Sequence, residues 1–193
     1  MSFAGFFITV WQYIALFFFQ FWQLFLAWLS IFAAPSKDIE ILWIIIPIYL
    51  NWIFTEIYQE KRITSFGNAI SNGVVVLWVG IDWTRYLFRL IDNKRIFFGF
   101  DFYSKLALSI LVFIYGITII IYGMRGRRFV HFFGRIREIS YILIMFSPII
   151  YGIIKLTWYN LLAIVIFFPI FYLLIEYINY KVPDPKTYEN DEE

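Results

Sequence analysis

The chain reads as an all-α membrane protein, a bundle of about six transmembrane helices, and three observations lead there. Of its 193 residues, 62% are hydrophobic and 24% aromatic, well above the roughly 45–50% apolar content of soluble domains. The apolar residues gather in runs of the roughly 20 residues that cross a bilayer. The charged residues fall mainly between those runs, with a dense basic cluster from Arg125 to Arg137.

The spans are expected at about 7–34, 39–58, 65–90, 103–124, 139–154 and 158–180, forming one helical domain over residues 1–180. No charge occurs in residues 1–36, whereas a cleavable leader starts with a basic segment and carries a shorter apolar run. A retained helix is therefore expected, with Thr9, Gln12, Gln20, Gln23, Ala27 and Ser30 in one sector at about 100° per residue. Pro35-Ser36-Lys37-Asp38 ends it. The second span should bend at Pro47 and stop at Glu60-Lys61-Arg62.

The third span is the least apolar. Ser65, Asn68, Ser71, Asn72, Asp82, Tyr86 and Arg89 project into one sector. Ala69, Gly73 and Gly80 occupy a second, and Phe66, Ile70, Leu77 and Ile81 a third. Polar groups cannot face hydrocarbon without cost, and small residues allow close helix approach; the third helix is therefore expected at the centre of the bundle. In the fourth span, Ser109, Gly116 and Gly123 recur every seven residues on one side, again a contact face. The fifth and sixth spans follow as a hairpin. The tail, 181–193, is polar, interrupted by proline and acidic at its end, and is expected to be disordered.

Between spans four and five, Phe129, Phe132, Phe133 and Ile136 share a helical face, flanked by Arg127, Arg128, His131 and Arg135. That pattern predicts a basic amphipathic segment in the membrane interface, with Arg125, Arg127, Arg128, Arg135 and Arg137 as candidate contacts for anionic phospholipid head groups. Plain topology control is the simpler reading. Positive charge favours the cytoplasmic side, so this loop and, with six spans, both termini are expected inside, in the plasma membrane.

Asn51, Asn68, Ser71, Asn72, Asp82, Arg85 and Glu176 are the candidate intramembrane polar seam. A carboxylate deep in a bilayer costs about 2.5–3.5 kcal/mol on insertion scales and often serves an ion or proton. Arg85, three residues beyond Asp82, offers a structural alternative as an intrahelical partner. Asn68 and Asn72 suit interhelical amide bonds. Glu56 lies off the polar face of its helix, near the interface.

With no cysteine and one histidine, His131, thiolate chemistry and histidine metal centres are excluded; no cofactor and no catalytic motif are expected. The basic cluster does not amount to a nucleic-acid module. Two functions fit. The first is a non-catalytic structural or accessory subunit that forms a homo-oligomer or joins another integral membrane protein. The second is a small oligomeric channel or carrier using the polar seam of the third helix.

Overall fold

The structure, a computed structural model, describes residues 3–56 and 65–182, with side chains from Val10 onward. Its described residues are mostly helical, without a strand. Helix α1 covers Phe3–Ala33 and passes through a 3-10 turn, Ala34–Lys37, into α2, Ile39–Phe54. Then come α3, Phe66–Asp92; α4, Phe100–Met124; the single turn α5, Val130–Phe133; α6, Ile136–Ile150; and α7, Trp158–Lys181. The expected stop at Glu60-Lys61-Arg62 and most of the acidic tail lie outside the described residues.

Local chemistry explains the helix ends. Asp38, Ser65 and Thr157 cap α2, α3 and α7 by accepting backbone N–H bonds from Glu40, Asn68 and Asn160, each satisfying a donor that the first turn leaves free. At the C-termini of α4 and α6 the chain reverses through Gly126 and Gly152, at φ +62° and +74°. There Arg127 N–H reaches Tyr122 O at 3.1 Å and Ile153 N–H reaches Pro148 O at 3.0 Å. These six-to-one bonds around a left-handed residue satisfy the last carbonyls, and glycine adopts that backbone without a Cβ penalty.

Among the described residues, three segments are long and apolar enough to cross a membrane: Val10–Lys37, Phe100–Met124 and Trp158–Lys181. That is fewer than six, for physical reasons. The 16 residues of α2 and 15 of α6 rise only about 22–24 Å, short of the roughly 30 Å hydrocarbon core. Helix α3 has the length, at 27 residues, but is too polar.

Helices α3 and α4 form the tightest pair. A Cβ on Gly116 would lie 2.5 Å from Leu77 N, and one on Gly80 would lie 2.8 Å from the backbone of Phe113. Gly73 meets Ile119, and Gly123 meets Ile70, so the contacts descend one helix as they climb the other. The seven-residue spacing keeps these glycines on one seam along two antiparallel helices.

The centre of the bundle is α6 rather than α3. Helix α6 packs against α1, α2, α3 and α7, and twelve of its fifteen residues are buried. Trp83 of α3 donates its indole N–H to Ser147 of α6 at 3.2 Å. One hydroxyl joins three helices: Tyr141 accepts from Trp28 Nε1 at 2.9 Å and donates to Ile164 O at 2.6 Å.

Helix α1 is the least enclosed of the three long apolar segments. Phe21, Phe25 and Trp28, spread over two turns, all contact the ring of Phe167, with centroids 5.2–5.5 Å away. Phe32 stacks on Phe171, one turn further along α7, so the second half of α1 packs on α7. Residues 10–23 are exposed throughout, whereas Ile31, Ala34 and Pro35 are buried.

Side-chain contacts sort the helix ends into two groups. The end of α2, the start of α3, α5, the start of α6 and the end of α7 meet around Gly134. The start of α2, the end of α3, the start of α4 and the α6–α7 connection meet around Tyr151. The expected interfacial helix between spans four and five shrinks to α5. Phe129, Phe132 and Phe133 stay exposed, while Ile136 is buried at the start of α6.

Candidate functional site

The polar residues expected to form one seam occupy three separate places. At the Tyr151 end, Asp82 is 6% exposed, and its two carboxylate oxygens have different partners. Oδ2 accepts from the Tyr151 hydroxyl at 2.7 Å. Oδ1 pairs with Arg85 at 2.7 Å, the intrahelical partner expected from the three-residue spacing. The Tyr151 ring stacks on Tyr86, with centroids 3.9 Å apart at 19°. Arg89 lies over the other part of this wall, 5.1 Å from the Tyr86 ring centre, and reaches Glu40 at 3.1 Å.

The second place is an amide junction near Gly134. Asn72, buried on α3, donates to Gly134 O at 2.9 Å and accepts from Asn51 Nδ2 at a long 3.5 Å. It ties α3 firmly to the turn before α6 and weakly to α2. Gly134 has no room for a side chain, since a Cβ would lie 2.7 Å from Ala69 Cβ. Asn68 is half-buried nearby, and Ser71 is exposed outside the junction.

The third place is an ion cluster joining α2, α6 and α7. Arg137 contacts Glu56 through Nε at 2.7 Å and through its terminal nitrogen at 2.6 Å, and it also pairs with Glu176. The guanidinium lies 5.1 Å from the ring centre of Tyr172, whose hydroxyl accepts from Arg135 at 3.0 Å. Arg135 further approaches Glu138 at 3.7 Å. Two carboxylates against one guanidinium leave this cluster with a surplus negative charge, and Arg137 and Glu56 are both buried. The fork of a guanidinium suits two carboxylates better than a point charge does.

Two expectations change here. Arg137 does not face a lipid surface: with 6% exposure it is taken up by the carboxylates of neighbouring helices. Glu176 belongs to this cluster and not to the seam of Asp82. The other arginines divide: Arg125, Arg127 and Arg128 are exposed beyond α4, and Arg135 is half-buried.

Ten residues of α3, about 15 Å of helix, separate Asn72 from Asp82, with Val76 and Val79 buried between them and Trp83 beside the acid. The polar face of α3 therefore opens onto two unconnected neighbourhoods. Two partners were not singled out from the sequence. Tyr151 is one of fourteen tyrosines and carries no local signal. The pairing of Glu56 with Arg137 had one available clue, opposite charges at span ends expected on the same side of the membrane.

Among the described residues no group of histidine and carboxylate side chains could hold a metal ion. No known protein family, no curated protein and no solved structure matches the chain.

Proposed function

We propose that this protein is a multi-pass membrane subunit without a catalytic role, assembling with itself or with another integral membrane protein. One observation carries the reading. Residues 10–23 of α1 are exposed, even where Phe21 touches Phe167, and Gln12, Gln20 and Gln23 share a sector there with no side-chain hydrogen bond among the described residues. Trp11, Phe17 and Phe18, each 65–70% exposed, are at home against lipid tails. Three amides are not, because each carries donors and acceptors that hydrocarbon cannot satisfy. A neighbouring helix satisfies them, and such bonds between membrane helices contribute about 0.6–2 kcal/mol each.

The same reading takes the bundle through the bilayer six times. The two groups of helix ends, around Gly134 and around Tyr151, fit helices that alternate in direction, with α2 and α6 shielded at their short ends by neighbours. Exposed Arg125, Arg127 and Arg128 beside Phe129 and Phe132 suit an interface with anionic phospholipid head groups on the cytoplasmic side. For a channel, a wet path through Asn68, Asn72 and Asp82 would have to cross the layer of Val76 and Val79, which weighs against one chain forming it.

Extraction in mild detergent followed by mass determination tests the assembly. A complex larger than one chain is expected, and the triple variant Gln12→Leu/Gln20→Leu/Gln23→Leu should shift it toward monomer. A native protein that remains monomeric and partnerless overturns the reading. Ion flux in reconstituted vesicles that is abolished by Asp82→Asn, with Arg85 retained, would favour the channel instead.

A further inference from the structure

A cavity of about 540 Å³ opens at the Tyr151 end of the bundle, within the roughly 300–1,000 Å³ range of small-molecule sites. It lies where the ends of α3 and α6 meet the starts of α2, α4 and α7, floored by the left-handed turn at Gly152. Its charges are unevenly satisfied. Asp38 caps α2 through Glu40 N–H, and Asp101 is paired with Lys105 at 2.9 Å, so both carboxylates that line it are engaged. Arg95 and Lys155 line it too and form no ion pair among the described residues.

Lys105 is the built part of this site. Its side chain is 5% exposed, whereas that of Asp101 is 55% exposed. An ammonium carries three donors, and Asp101 is the sole described acceptor for this one. Burying such a charge without full hydrogen bonding is costly, and an anion in the cavity would supply the missing acceptors. The stacked pair Tyr86 and Tyr151 also lines the cavity. Both rings are buried against each other and the Tyr151 hydroxyl is held by Asp82, so the pair closes the cavity without giving it a free hydroxyl.

We infer that this cavity binds a small organic oxyanion, a carboxylate or phosphate monoester with an apolar or aromatic body, headed onto Arg95, Lys155 and Lys105. Charge-assisted bonds to the oxyanion give the orientation, and the half-buried apolar side chains of Ile96, Ile154 and Leu156, which line the cavity, take the body. The chemistry is shared by a soluble metabolite and by the head group of an anionic phospholipid.

Titration calorimetry with phenyl phosphate and with benzoate, on the full chain in nanodiscs of phosphatidylcholine, tests the inference. Saturable binding of at least one probe is expected. The double variant Arg95→Gln/Lys155→Gln alters exposed side chains, and it should weaken that binding by roughly tenfold or more, while Lys94→Gln, a neighbouring charge outside the cavity, should leave it unchanged. Absence of saturable binding by both probes overturns the site, as does equal affinity in the native protein and the double variant. Repeating the titration with phosphatidylglycerol in the nanodiscs identifies the source: competition supports a lipid head group as occupant, and undiminished binding supports a soluble one. The subunit reading is untouched by failure here, since it rests on α1.

Discussion

The Tyr151 hydroxyl donates to Asp82 Oδ2 at 2.7 Å across the α3–α6 contact, and this bond fixes the ring that stacks on Tyr86. The carboxylate is nearly closed off, yet the guanidinium of Arg85 that shares it is 62% exposed. Tyr151 is thus the enclosed half of the partnership. Tyr151→Phe removes the hydroxyl while keeping the stack, leaving a buried carboxylate oxygen without its donor. A loss of about 1–3 kcal/mol is expected, read from unfolding in mixed detergent and SDS micelles. Unchanged stability would mean that Arg85 or water satisfies the acid alone.

Arg137 holds two glutamates together, so its removal leaves buried Glu56 without its partner and turns it toward the more exposed Glu176. Arg137→Gln should destabilise by about 3–5 kcal/mol, the usual cost of breaking a buried ion pair by removing one partner. Adding Glu56→Gln should recover a large part of that loss, because the uncompensated buried charge disappears. A double-mutant cycle on the same unfolding assay measures the coupling. Strictly additive effects would show that the cluster is not a cooperative unit.

Much of this arrangement was legible from small and charged residues, and little from the apolar ones. Gly73 and Gly80 on α3 and Gly116 and Gly123 on α4 marked their seam by spacing alone, because glycine is the residue that backbone contact selects. Asp82 pointed to Arg85 through helical periodicity. The central place of α6 was hidden, since its buried Ile139, Leu143 and Ile144 use the same residue types as the exposed Ile110, Leu111 and Ile114 of α4. Where the surroundings are as apolar as the core, hydrophobic periodicity no longer separates inside from outside. The packing of α1 on Phe167 was hidden for the same reason, its aromatic residues being spread around the whole helix.

Glycine substitutions separate packing from propensity. In a helix interior, Gly→Ala alone favours folding by about 0.8–1.0 kcal/mol. At Gly67 the nearest atom to a new Cβ is 3.9 Å away, so Gly67→Ala should stabilise or be neutral. At Gly116 the new Cβ would meet the Leu77 backbone at 2.5 Å, which only a shift of whole helices relieves. Gly116→Ala should therefore destabilise despite its better propensity, measured by unfolding and by the yield of monodisperse protein. The same sign for both variants would contradict the close α3–α4 approach.

Topology offers the sharpest test of the two groups of helix ends. Since the chain has no cysteine, single variants report one site each without background. Gly99, before α4, and Met124, at its end, are separated by a helix of 25 residues that meets the length and hydropathy of a span. Gly99→Cys and Met124→Cys should label from opposite sides in intact cells or sealed vesicles, with Met124→Cys reached only from the cytoplasmic side beside the arginines. Ser71→Cys, at the exposed edge of the Gly134 end, should follow Met124→Cys if α3 runs antiparallel to α4 through the bilayer. Labelling of Gly99→Cys and Met124→Cys from the same side would remove α4 from the membrane-crossing set. Labelling of Met124→Cys from outside would invert the orientation while leaving the alternation intact.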